Sequence, residues 1–425
     1  WMKKIAVQDL RFYVSGENLL TITKFPGMDP ELGGIRYNLL QRYVAVTAPL
    51  PWRDKLGEWR NDDDAELYIY LSILYASFKR QDVSDALVSV ARERAYHPVR
   101  EYLKSLPEWD GVNRADRILI DYLGAEDTAY TREVTKRWLI AAISRAMRPG
   151  CKFDYMLTLR GRQGLGKSAL IAKLGGTWFS DSFTTLQGKD AYEQALGVWL
   201  VEVGELAGMR KAEAEIIKQY ISKQTDRFRP AYGRRIQEFP RQCIFIGTTN
   251  ESTFLRDTTG NRRFWVVDTP NAPERDMWDD LTPETVRQVW GEAVALFRRG
   301  EPLFLPPELE SDARKVQELY EEEDPRAGIV AAYLERLLPE GWDAMDLYSR
   351  RQWLEGSEPG TVPRRTVCSF EIWAEALGQN PDRLDAYEGK RLRAIMEKMP
   401  DWKHQGTLRV TTGPYGRQRY YKKED

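Results

Sequence analysis

Four short apolar runs, at 155–159, 198–201, 243–246 and 264–267, recur between segments whose apolar residues follow helical spacing. Continuous apolar runs of this length suit strands buried on both faces, and their alternation with helices predicts an α/β domain built on a parallel sheet. Upstream the period changes. Residues 62–78 and 82–94 read as amphipathic helices, with Leu67, Tyr70, Leu71, Leu74 and Tyr75 on one face, so a small, mainly helical N-terminal domain is expected. Downstream, a helix over 389–399 and strand-like 407–411 and 418–421, joined through Gly413, Pro414, Tyr415 and Gly416, predict a helix followed by a hairpin, a winged-helix outline.

Punctuation between these patterns sets the boundaries. Pro107 to Gly111, an acidic tract over 318–324 closed by Pro325, and a stretch rich in Gly, Pro and Ser over 356–365 divide the chain into 1–106, the α/β domain 107–300, a connector 301–365 and a last domain 366–425. No apolar run is long enough for a membrane span and no signal core is present, so a cytoplasmic setting without a membrane partner is expected. The first residue is Trp1, which leads us to expect a natural start further upstream. Cys151, Cys243 and Cys368 are far apart and His97 and His404 are the only histidines, which argues against a disulfide framework or a zinc site. With 63 basic and 64 acidic residues the chain is no general polycation, and any nucleic-acid contact must be local. The 14 tryptophans suit core packing better than stacking on bases.

Chemistry enters where the run at 155–159 leads into Gly161, Arg162, Gln163, Gly164, Leu165, Gly166, Lys167 and Ser168, the spacing G-x-x-x-x-G-K-S, and then into a helix from Ala169. Glycines let backbone N–H groups wrap phosphates, a lysine neutralises β/γ charge, a serine hydroxyl ligates Mg²⁺, and the helix N-terminus adds positive potential. The domain reads as a P-loop NTPase that takes ATP and magnesium on residues 161–169. Glu202 directly follows the apolar run 198–201, where a carboxylate holds the metal through ordered water, and Glu205 is the candidate general base. Asn250, after the run 243–246, is either a γ-phosphate sensor or a turn residue. Arg262 and Arg263, in a polar turn before the last run, are either an arginine finger or a solvated charge pair.

Arg227, Arg229, Arg234 and Arg235 surround a glycine turn together with Phe228 and Tyr232. Guanidinium groups meeting phosphates beside a ring that stacks on a base suit a hairpin contacting single-stranded nucleic acid, and intersubunit salt bridges are the alternative. The stretch 390–423 holds ten Lys and Arg, among them Lys390, Arg391 and Arg393, against two acidic residues, with Trp402 and three tyrosines interleaved, and is a second candidate DNA contact.

On these motifs, and on Trp109-Asp110-Gly111, Gly247 to Asn250 and Gly260 to Trp265, the chain resembles the virulence-associated protein E family of phage and genomic-island ATPases, related to superfamily 3 helicases of the AAA+ class. The resemblance implies an AAA+-like parallel-sheet core and a replicative DNA helicase that forms hexameric rings and translocates on single-stranded or forked DNA. It also implies that Arg262 or Arg263 acts across a subunit boundary and that the arginine hairpin faces the pore. Glu202 stands where many P-loop proteins have Asp. A nucleotide-switched assembly or defence ATPase, or a replication initiator without unwinding activity, would keep the same ATP motifs.

Overall fold

The computed structural model describes residues 30–74, 78–182, 188–204, 211–230, 235–251, 253–255, 260–320, 324–410 and 415–424, with backbone alone for 211–214 and 407–410. The chain forms two compact units, 1–320 and 321–425. Among the described residues no helix is long and apolar enough to cross a membrane.

The first unit opens with strands β1 (Ile35–Asn38), β2 (Tyr43–Val46) and β3 (Gly57–Glu58) in an antiparallel sheet, followed by helices α1 (Asn61–Leu74) and α2 (Arg80–Glu93). Both helices were expected. The sheet was not, because strands of two to four residues are too short for period-2 patterning to stand out. Ile35, Val44 and Val46 of the sheet pack with Leu67, Leu71, Val83 and Leu87 of the helices in one small core. Helix α3 (Pro98–Lys104), which starts on a proline and is capped by the His97 ring, instead buries Val99 and Leu103 in the main core. The punctuation at 107–111 therefore does not interrupt packing.

Helices α4 (Ile118–Leu123) and α5 (Ala129–Met147) precede the central sheet. That sheet comprises β4 (Met156–Arg160), β5 (Phe179–Ser180), β6 (Leu200–Val203), β9 (Ile244–Thr249) and β10 (Phe264–Asp268), all parallel, in the order β10-β4-β9-β6-β5. Between them the chain forms α6 (Lys167–Gly175), α7 (Gly188–Gln194) and α8 (Lys211–Ile221), and a hairpin of β7 (Thr225–Phe228) and β8 (Gln237–Pro240) stands apart from the sheet. Helices α9 (Pro283–Arg298) and α10 (Pro307–Leu319) complete the unit.

Successive strand residues point to opposite faces, and each face has its own core. Leu157, Leu159, Ile244, Ile246, Trp265 and Val267 face α5, α6 and α9, while Met156, Val201, Phe245, Phe264 and Val266 face α7 and α8. Several tryptophans resolve as core, while Trp278 is exposed. Trp138, Trp199 and Trp290 are fully buried, and their ring N–H groups donate to Phe245 O at 3.0 Å, Ala142 O at 2.8 Å and Leu174 O at 3.0 Å.

The second unit contains α11 (Ala327–Glu335), α12 (Leu347–Glu355), β11 (Thr366–Cys368), α13 (Ala386–Glu397), β12 (Trp402–Val410) and β13 (Arg417–Lys423). The expected helix and hairpin are α13 and β12-β13, and β11 adds a third strand in the order β11-β13-β12. The stretch 301–365, expected as a connector, is shared between the units. Helix α10 places Gln317 Nε2 2.8 Å from Phe264 O at the edge of the central sheet, whereas Val330, Tyr333 and Leu334 of α11 pack on Val367, Ile372, Leu392 and Tyr421. Gly/Pro-rich composition over 356–365 marked mostly exposed surface, and residues 321–323 of the acidic tract lie outside the described residues. Arg350, fully buried, holds Glu375 at 2.8 Å, and Tyr333 donates to the same carboxylate at 2.6 Å, so the buried charge is paired and hydrogen-bonded.

A chain ending at Tyr320 is expected to unfold cooperatively, whereas one ending at Arg365 retains α11 and α12 without Val367, Leu392 and Tyr421, the residues they pack on. Limited proteolysis with mass spectrometry checks this. A stable 1–365 fragment would contradict the unit boundary.

Candidate nucleotide-binding site

Because every strand of the central sheet runs the same way, the segments leaving β4, β6, β9 and β10 emerge along one edge. Gly161 follows β4 and donates its N–H to Thr249 O of the adjacent β9 at 3.1 Å. A Cβ at Gly161 would lie 2.0 Å from Thr269 Oγ1, so this glycine is required by close approach. Gly164 and Gly166 have φ of +80° and +88°, the left-handed region open to glycine. Gly166 begins α6, and a Cβ there would meet Met277 Cε at 2.5 Å. Arg162 and Gln163 are exposed, while Leu165 and Ala169 are half-buried at the loop's base.

Lys167 Nζ lies over this loop, donating to Gly161 O at 2.8 Å and Arg162 O at 2.9 Å. Burial pulls its ammonium below the usual lysine range, and the charge of Glu202 opposes that shift. Ser168 Oγ donates to Glu202 Oε1 at 2.7 Å, and Thr248 Oγ1 donates to the same oxygen at 2.7 Å. Glu202 is 3% exposed. Its other oxygen, Oε2, is buried and has no hydrogen-bond partner among the described residues.

A buried carboxylate with an unmatched oxygen costs several kcal/mol unless a cation or further donors meet it. A carboxylate that accepts from a serine hydroxyl at the start of the loop's helix through Oε1, with Oε2 left over, fits a divalent cation. Among the described residues no cluster of three or more His, Cys, Asp or Glu forms a closed metal cage. Such a donor set suits Mg²⁺, which keeps water and phosphate oxygens as most of its ligands.

Asn250 is exposed immediately beyond β9, on the same sheet edge as the loop and Glu202. Glu205 lies outside the described residues. Three contributors were missed: Thr248 supports Glu202, Thr269 packs on Gly161, and Met277 covers Gly166. Thr248 had a signal, since it shares the alternate-residue face of Ile244 and Ile246, but only the register Glu202 against Ile246 reveals its partner.

Arg262 and Arg263 fall elsewhere. Their turn precedes β10, so it lies at the opposite edge of the sheet from the loop, separated by five strand residues or roughly 16 Å. Arg262 is exposed, and Arg263 is half-buried with its Nε 2.8 Å from Ser222 Oγ. The β7-β8 hairpin stands at the same edge, since β8 leads into the start of β9. Arg227, Arg229 and Arg235 are exposed on it, whereas Tyr232 and Arg234 lie outside the described residues. Phe228 is not available to a base: it is 6% exposed, stacked on Phe239 at 4.6 Å and on Tyr192 at 5.7 Å. In the second unit Lys390 is exposed, while Arg391 pairs with Asp324 at 2.9 Å and Arg393 with Glu397 at 2.9 Å.

A family model, the virulence-associated protein E-like domain, matches residues 103–322. Similar solved structures include an apo structure of the NrS-1 C terminal region (305-718), at 13% identity over 96% of this chain and all of that one, with TM-score 0.49. Two A-form apo structures of the same NrS-1 region align over 92% of this chain, at 13% and 12% identity, with TM-scores of 0.43 and 0.45 and 96% and 97% of their own lengths covered. No curated protein matches.

Gly161→Ala is expected to destabilise the first unit through its clash with Thr269 Oγ1, and Thr269→Ala, which removes that oxygen, to recover part of the loss. The two substitutions should couple by about 1 kcal/mol or more in denaturant unfolding. Simple additivity would mean that the contact does not limit the loop.

Proposed function

This chain belongs to the virulence-associated protein E-like family, and from that premise we propose that it is an ATP-driven DNA helicase of the phage or genomic-island replicative kind, ring-forming and moving along single-stranded DNA. The observation that carries the ATPase part is Glu202, buried, bound to Ser168 through one oxygen and, among the described residues, unmatched at the other.

In this reading the N–H groups of residues 161–168 and the start of α6 bind the phosphates. Lys167 exchanges the carbonyls of Gly161 and Arg162 for β/γ-phosphate oxygens. Ser168 and, through water, Glu202 would hold magnesium, which would supply positive charge to the phosphates when bound. Glu205 accepts the proton of the attacking water, and Asn250 orients that water against the γ-phosphate. Thr248 keeps the Glu202 carboxylate in place by hydrogen bonding.

Two features support assembly and a strand track. The arginine turn lies at the sheet edge away from its own loop, a position that suits action on a neighbouring copy. The exposed Arg227, Arg229 and Arg235 on the β7-β8 hairpin suit phosphate contacts. The second unit, which we read as winged-helix-like, adds Lys390 and the basic hairpin β12-β13 as a further DNA contact.

ATP turnover is expected to rise with single-stranded DNA, and forked duplexes to separate. Lys167→Ala should abolish turnover, while Glu205→Gln should retain ATP and lose about 100-fold or more in rate. Turnover indifferent to DNA together with intact forks would favour an assembly ATPase or initiator. Normal turnover in Glu205→Gln would show the base to be misassigned.

An arginine finger is worth roughly 1,000-fold in hydrolysis. Mixing Arg262→Ala/Arg263→Ala chains with Lys167→Ala chains, each inactive alone, should restore part of the activity, because some interfaces then pair an intact loop with intact arginines. No recovery despite verified co-assembly would exclude action across the interface.

A further inference from the structure

We propose that Arg262 is the arginine that completes the neighbouring nucleotide site, and that Arg263 is a positioning residue which, through Ser222, links that arginine to the β7-β8 hairpin. The inference rests on the ATPase and strand-binding reading above. Its ground is the contrast between two adjacent arginines: Arg262 projects into solvent, and Arg263 is turned back onto the end of α8.

Arg263 Nε donates to Ser222 Oγ at 2.8 Å, and its terminal nitrogen reaches Gly260 O at 3.4 Å. Ser222 Oγ donates to Lys218 O at 2.6 Å. The hydroxyl therefore accepts from the arginine turn and donates to the helix, joining the two. Gly260 fits the same contact. Its φ is +75°, and a Cβ there would lie 2.7 Å from Arg263 Nη1 and 3.4 Å from Lys218 Cδ, so the turn closes on α8 and a side chain there would displace the Arg263 guanidinium.

The last turn of α8 also roots the hairpin. Asp226 of β7 takes both of its oxygens to Arg241, just beyond β8, at 2.8 Å and 2.8 Å. Arg241 also donates to Tyr220 O. Asp226 and Arg241 are 4% and 3% exposed, so breaking this pair would strand a buried charge. A load on the hairpin is therefore passed to the backbone of residues 220–222 rather than absorbed at its root. Ser222 moves with that backbone, Arg263 follows Ser222, and the orientation of Arg262 follows from Arg263. Occupancy of the hairpin by a strand thus sets how Arg262 is presented to the neighbour.

The test is ATP turnover by the full chain with and without a thymidine oligonucleotide, together with oligonucleotide affinity, for wild type, Ser222→Ala, Ser222→Thr and Arg262→Ala. Ser222→Ala is expected to keep DNA-free turnover and affinity within about twofold, while stimulation by DNA falls roughly 3- to 10-fold, the range that one hydrogen bond commands. Ser222→Thr, which keeps the hydroxyl, should retain stimulation, and Arg262→Ala should lose turnover with and without DNA. Full stimulation in Ser222→Ala overturns the link. So does an equal loss of basal and stimulated rates, which reports damaged structure, and so does a Ser222→Thr variant no better than Ser222→Ala. Normal turnover in Arg262→Ala overturns the assignment of that residue. If the wild type itself shows no stimulation, the strand-binding reading fails and the link fails with it, before any variant is compared.

Discussion

A sheet whose strands all run one way has two unlike edges, and the chemistry of this chain is distributed by that constraint. The ends of β4, β6 and β9 deliver the glycine loop, Glu202 and Thr248 to one edge, although these segments are far apart in sequence. The starts of β9 and β10 deliver the root of the β7-β8 hairpin and the arginine turn to the other. No side chain spans a strand of five residues, roughly 16 Å. The proposed site is therefore split within one chain, and a second copy is the simplest way to close it.

Holding Glu202 buried at the first edge has a cost that the surrounding structure must offset. Ser168 and Thr248 both donate to Oε1 and, among the described residues, leave Oε2 unmatched, which makes the carboxylate suited to a cation and unfavourable without one. The floor beneath it is correspondingly stiff. Trp199, one residue before β6, donates to the backbone of α5, Trp138 of α5 donates to β9, and Trp290 of α9 donates to the end of α6. Each indole fills core volume and also satisfies a polar atom, so helices and strands around the loop are fixed in position as well as packed. Arg160 and Asp268 join the ends of β4 and β10 at 3.0 Å beneath Gly161, adding a charge-assisted contact on the remaining side.

Much of this was legible in the sequence wherever one local rule governed the outcome. The four apolar runs became β4, β6, β9 and β10, and the glycine spacing fixed the loop, since both depend on neighbours along the chain. What escaped depended on register or on distant partners. Thr248 is a small polar residue in an apolar strand until β6 is set beside β9, and Met277 has no motif, only a place over Gly166. The stretch 301–365 was misread for another reason. Gly/Pro-rich composition over 356–365 reports the mostly exposed segment between α12 and β11, while the few apolar residues that anchor the helix before it, such as Val330 and Leu334, are too sparse to outweigh it.

Arginine shows most plainly why composition alone misassigns function. Eight arginines from 227 to 263 look equivalent as a basic stretch, yet the structure divides the described ones by what surrounds each guanidinium. Arg241 is enclosed by Asp226, the Tyr220 carbonyl and two aromatic rings, with Tyr220 4.1 Å and Phe245 5.4 Å from its carbon. Its planar, weakly hydrated cation is suited to that enclosed position as lysine would not be. Arg263 is committed locally, with Nε given to Ser222 and Nη1 to the Gly260 carbonyl. Arg227, Arg229, Arg235 and Arg262 are exposed, and exposure is what a phosphate contact requires, because a guanidinium already paired gains little from a second anion. The buried members hold the exposed ones in place: Asp226 and Arg241 fix the root of a hairpin that would otherwise be two strands of four residues, too little to stand alone in water. Positive charge can be held exposed at Arg227, Arg229 and Arg235 because a charge pair is buried at the root.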